Sequence, residues 1–95
     1  MLYTFSQAHY SETELQRYLT EITENDAVVL WQEGMLLAVK YGEMFSECKG
    51  PCFVLEQDVL ARNLTALLPE NNQVLSISLA DLVGLTAQYS PQIAL

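Results

Sequence analysis

Ala27-Val28-Val29-Leu30-Trp31 is apolar at every position, where a strand with one wet face would alternate. Such a run fits a strand covered on both faces by helices, which is the setting of a parallel sheet. Three further runs share its aliphatic and aromatic character: Met1 to Phe5, Cys52 to Leu55 and Val74 to Ile77. They follow one another at about 20 to 26 residues, enough for a helix in each crossover. Right-handed crossovers then give a small three-layer α/β/α sandwich with an open, mainly parallel sheet of flavodoxin-like character, in one domain over residues 1–95. A short fifth element falls near Gln92 to Leu95.

The segments between the strands carry helix signals. Ser11-Glu12-Thr13-Glu14 is a capping box, with Tyr10 and Leu15 placed to close a hydrophobic staple. Leu15, Tyr18, Leu19 and Ile22 then share one helix face, and Asn25 is placed to supply a left-handed C-terminal cap. A second, more apolar segment lies between Gly34 and Gly42, and a third helix is predicted over Gln57 to Arg62. Ser78-Leu79-Ala80-Asp81 opens a fourth, continuing through Leu82, Val83 and Leu85 until Pro91 limits it. Trp31, Tyr41 and Phe45 are core candidates.

Hydrophobic residues make up 51% of the 95 and charged residues 17%, enough apolar material for a packed core. A chain this short buries only roughly 60–70% of its unfolded surface, so an apolar surface shared with a partner would add stability. Twelve acidic residues against Arg17, Lys40, Lys49 and Arg62 leave a net charge of -8. That charge repels phosphate and argues against direct contact with tRNA or DNA. The longest apolar runs are far below the ~20 residues of a membrane span, and the N-terminus reads at once as a strand, so cytoplasmic residence is expected.

Chemistry-bearing residues are sparse. Cys48-Lys49-Gly50-Pro51-Cys52 has three residues between its cysteines rather than two, no further cysteine, and a distant His9 as the sole histidine. Neither a redox motif nor a metal site is complete. Two structural thiols are the favoured reading, with Cys52 as a small hydrophobe opening a strand. Cys48, in a loop beside Lys49, is the one candidate reactive thiol. His9 reads as a solvated loop residue. Ser6-Gln7-Ala8-His9 after the first strand lacks glycine, which argues against flavin or dinucleotide phosphate, and no cofactor is implied. Glu33-Gly34 reads first as a tight strand-to-helix connection using glycine's freedom. Asp58 and Arg62, four apart, can pair on the exposed side of their helix for ~0.3–0.5 kcal/mol.

Taken together these segments resemble the TusB/DsrH family. Met1-Leu2-Tyr3-Thr4 is similar to the family's start, with Tyr3 where histidine is usual, and Leu30-Trp31-Gln32-Glu33-Gly34 resembles its strand followed by an acidic-Gly turn. Leu55 to Leu64 is similar to its most recognisable stretch, an acidic helix start leading to Ala-Arg-Gly, with Asn63 in place of the glycine. Asn tolerates left-handed geometry, so that turn can survive. Asp81 to Thr86 and Tyr89-Ser90-Pro91-Gln92 resemble the C-terminal pattern, with Leu95 where tryptophan is frequent.

The resemblance implies a subunit of a heterohexamer, two copies each of three related chains, that passes persulfide sulfur toward 2-thiolation of the tRNA wobble uridine. Its partners would be TusC-like and TusD-like subunits, with sulfur-carrier proteins meeting the complex. The sulfur-accepting cysteine then belongs to the TusD-like chain. Some DsrH-type members carry a cysteine in helix 1; here Tyr18 stands about there, which implies an accessory role without a catalytic cysteine. Glu33, Gly34, Asp58 and Arg62 become partner-binding or structural motif residues. Two alternatives remain open: a stand-alone thiol sulfurtransferase using Cys48, and an acidic α/β regulatory or ligand-binding domain.

Overall fold

The computed structural model describes residues 1–62 and 74–95; the turn expected at Asn63 lies outside them. Five parallel strands form one sheet in the order β4-β3-β2-β1-β5. They are β1 (Leu2–Phe5), β2 (Ala27–Leu30), β3 (Cys52–Leu55), β4 (Val74–Ile77) and β5 (Gln92–Ala94). The expected α/β sandwich with a short fifth strand is therefore what forms. Every residue of β2 is buried, as its unbroken apolar run requires.

Helix α1 (Glu12–Glu21) starts at the capping box: Glu14 N–H donates to Ser11 Oγ at 3.2 Å, and Ser11 N–H returns to Glu14 Oε1 at 3.4 Å. Leu15 and Leu19 are buried, followed by Ile22 just past the helix, each contributing on the order of 1.5–3 kcal/mol. Tyr10, just before the cap, sets its ring edge-on to Phe5 and Tyr18 at 5.4 and 6.1 Å.

The C-terminal cap differs from expectation. The helix stops at extended Ile22, and the chain turns through a Thr23–Asp26 loop in which Thr23 N–H and Oγ1–H both donate to Asp26 Oδ2 at 2.9 Å. Because the Asp26 carboxylate closes the turn, Asn25 needs no left-handed backbone, and Gln32 is the one non-glycine with positive φ among the described residues.

The apolar segment expected between Gly34 and Gly42 holds the end of a 3₁₀ turn (Gln32–Met35) and a short helix α2 (Leu36–Lys40), and from its Gly42 boundary a further short helix, α3 (Gly42–Ser46), follows that the sequence reading did not include. α4 (Glu56–Ala61) follows β3 directly, one residue ahead of prediction, and α5 (Leu79–Gln88) opens with a second capping box from Ser78 and Asp81.

Two apolar layers flank the sheet. Phe5, Val28, Leu30 and Val54 pack with Leu15, Leu19, Met35, Leu37 and Phe45 on the side of α1, α2 and α3. On the other side Leu2, Ala27 and Val29 meet Leu82 and Leu85 of α5 and Tyr89 just past its end. The second layer is thinner, for α5 has no buried residue. No helix among the described residues is long and apolar enough to cross a membrane.

Candidate functional site

The residues after β2 and those of α4 meet at the carboxyl end of the sheet. Trp31 N–H donates to Phe5 O at 3.1 Å, and Gln32 then takes a left-handed φ of 52°. Its N–H points to Asp58 Oδ2 at 2.7 Å. A charge-assisted bond to a part-buried carboxylate thus holds an otherwise disfavoured backbone. Arg62 braces Asp58 from one turn on, with Nη1 at 3.6 Å from Oδ1.

Two readings from sequence change here. Asp58 is not on an exposed helix side: its side chain is 16% exposed and binds a strand exit 26 residues away. Gly34 has no positive φ; it is glycine because a Cβ there would lie 1.9 Å from Phe5 O. The left-handed position is Gln32, which sequence reasoning missed because glutamine gives no turn signal. Glu33, like His9, is exposed. Trp31 is half-buried beside the α5 layer, with its indole N–H unpartnered among the described residues.

On the α1 side, the loop between α3 and β3 brings the two cysteines together. Gly50 seats this loop, since a Cβ on it would come within 2.5 Å of Asp26 O. Cys52 is buried in the core while Cys48 is half-buried. A hydrogen bond from the Cys52 thiol lowers Cys48 to about 7, against the opposing effect of burial, with the Gly50 backbone assisting and the Asp26 charge resisting. The same bond, then burial, pushes the Cys52 thiol strongly up. The Gly50 and Phe45 carbonyl oxygens, 3.6 and 3.9 Å from Cys52 Sγ, are alternative acceptors for its one thiol proton. Among the described residues no cluster of three metal-ligating side chains occurs.

Among the described residues four large hydrophobics are exposed: Leu60 of α4 at 62%, Leu75 of β4 at 60%, and Leu79 and Val83 of α5 at 54% and 64%. Read as a buried strand from sequence, β4 is instead an edge strand whose Leu75 and Ser76 are exposed, Leu75 on the face of α5, a helix with no buried residue. A groove of about 380 Å³ remains, lined by Phe53 and Ile77 below and Ala80, Gly84 and Gln88 above. The overlooked signal is α5 itself: Leu82, Leu85 and Tyr89 pack inward, yet Leu79 and Val83 add apolar surface elsewhere on the same helix, a pattern of helices covered on more than one side.

Comparison with known proteins places these features. A family model described as DsrH like protein matches residues 7–92. A protein of Haemophilus influenzae is 59% identical over 95 residues, covering all of both chains. Protein TusB of Yersinia pestis and of Yersinia pseudotuberculosis are each 34% identical over 97 residues, covering 99% of both chains. The solution NMR structure of Tm0979 from Thermotoga maritima shares the fold, with a TM-score of 0.57 at 20% identity over 92% of each chain. A family match over nearly the whole sequence, relatives aligned end to end and the same parallel-sheet architecture converge: the chain belongs to the DsrH-like family.

Proposed function

We propose that this chain is an accessory, TusB-like subunit of a cytoplasmic sulfur-relay complex, which docks TusC-like and TusD-like partners while persulfide sulfur for tRNA 2-thiolation travels on the TusD-like chain. The observation that supports it is the end-to-end likeness to TusB proteins, beside which Leu75, Leu79 and Val83 present exposed aliphatic side chains on β4 and α5. The net charge of -8 opposes pairing of this face with a second copy of the same chain and favours a less acidic relative. Three of the four cationic side chains are already engaged, Arg17 over Tyr18, Lys40 over Tyr41 and Arg62 with Asp58, which leaves no basic stripe for tRNA. In this reading Gly34, Asp58 and Arg62 shape the frame, and Glu33 is an exposed neighbour available to a partner.

Co-expression with TusC-like and TusD-like chains, followed by native mass determination, tests the proposal. The expected result is a complex containing all three chains, disrupted by Val83→Asp. A chain that stays monomeric with both partners present contradicts it.

A further inference from the structure

We propose that a helix of a partner subunit lies beside α5 over β3 and β4, completes the layer that is thin on this side of the sheet, and sets a lysine or arginine against Asp81. The partner chains are those of the relay reading above, on which this occupant depends. Right-handed crossovers that step along a sheet in one direction keep their helices on one face, and a step back puts its helix on the other. β1 to β4 step one way, and only the connection from β4 to β5 runs back. Accordingly α1, α2, α3 and α4 send Leu15, Leu37, Phe45 and Val59 into the layer on one side, while α5 is the one helix among the described residues packed on the other. Its ten residues do not cover five strands. Leu82 and Leu85 sit over Leu2, Ala27 and Val29 of β1 and β2, which leaves the groove of about 380 Å³ over Phe53 and Ile77, with exposed Leu75 beyond them on the same side.

Gly84, in the middle of α5, lines that groove. Its φ is not positive and a Cβ on it would meet nothing within 4 Å, so nothing among the described residues calls for glycine where alanine makes the better helix. Bare backbone lets another chain come close. With Ala80 and Gln88 it makes an i, i+4 row beside the exposed Leu79 and Val83, the furrow and ridge against which a second helix packs. A small molecule fits less well, because such sites need several convergent polar groups and this lining offers only Asp81 and Gln88. Charge selects the partner. Asp81 is the only ionisable residue of β4 and α5, and the four cations of the chain lie on other elements. A second copy would bring acid to acid, whereas a helix with a lysine or arginine beside its apolar ridge answers the carboxylate, whose Oδ2 accepts from Ser78 N–H at 3.3 Å.

Photoreactive p-benzoylphenylalanine placed at position 75, and separately at position 88, in the complex reconstituted with TusC-like and TusD-like chains is the probe, with adducts mapped by mass spectrometry. Both positions are expected to capture the same partner helix, close to a lysine or arginine. Gly84→Leu should leave the urea midpoint of the isolated chain unchanged or raised, yet weaken binding roughly 10- to 100-fold by filling the furrow. Asp81→Asn, which keeps an acceptor for the Ser78 N–H, should weaken binding roughly three- to tenfold and flatten its salt dependence. A complex that forms without these adducts, adducts to a second copy or within the chain itself, or Gly84→Leu binding as tightly as wild type would each overturn the assignment. Failure of the three chains to assemble at all is a distinct result, which removes the relay reading and this occupant with it.

Discussion

A methyl group added at position 34 would sit 1.9 Å from the Phe5 carbonyl oxygen, with backbone rather than a movable side chain in its way. Gly34→Ala should therefore destabilise the chain by about 1–3 kcal/mol in urea unfolding. Gly84 presents the reverse case, because a Cβ there meets nothing within 4 Å. Gly84→Ala should stabilise the isolated chain by about 0.5–1 kcal/mol through helix propensity, yet weaken partner binding by filling the groove over Phe53. At position 58, Asp58→Ala orphans the Gln32 N–H and should cost about 1–3 kcal/mol, whereas Arg62→Ala removes a partly solvated pair and should cost under about 1 kcal/mol. Equal costs for the two variants would refute the division of labour drawn here. Asp26 gives a pH signature: hydrogen bonds from Thr23, then the Met1 ammonium at 3.1 Å, hold its carboxyl below the usual range. A depressed folded pKa contributes stability above the unfolded value that is lost as pH falls through the folded one. The stability gap between wild type and Asp26→Asn should thus be present at about pH 7 and close below about pH 4.

At the scale of elements, much was legible because the signals were local. The two capping boxes, at Ser11 and Ser78, depend on residues three apart, and both form as read. β2 was legible because a residue buried on either face must be apolar. What escaped were features set by residues distant in the chain. The break at Tyr41 falls beside the Gly42 boundary that the sequence marks, but α3 beyond it, which carries Phe45 into the core, has no local signal of its own. Gln32 adopts its left-handed turn because Asp58 answers from 26 residues away. Likewise the exposure of β4 follows from its place at the sheet's edge, which composition cannot give, since Val-Leu-Ser-Ile would serve an inner strand as well. Of the candidate site, the motif positions Gly34, Asp58 and Arg62 were named from sequence, while their joint task, bracing the exit of β2, needed coordinates. The thiols show the same limit. Their spacing reads as unremarkable, and their hydrogen bond appears only when the loop folds back on Cys52.

For the whole molecule, the two sides of the sheet divide the work: α1, α2 and α3 close a packed core, and α5 only half covers its own. A charge introduced on the half-covered side should therefore leave folding nearly intact and abolish assembly. Leu75→Asp and Val83→Asp are expected to shift the urea midpoint of the isolated chain little, with stability changes within about 0.5 kcal/mol, while size-exclusion chromatography with partners shows the free subunit. Loss of folding in these variants would mean that the two leucine-valine positions belong to this chain's own core. The strand order carries a further consequence. Strand β5 pairs with β1, with Leu2 N–H bound to Pro91 O and Leu95 N–H to Thr4 O, so β1 is an inner strand only while the three residues of β5 stay zipped along it. Peeling β5 away would bare a row of β1 backbone groups, a template open to any strand nearby.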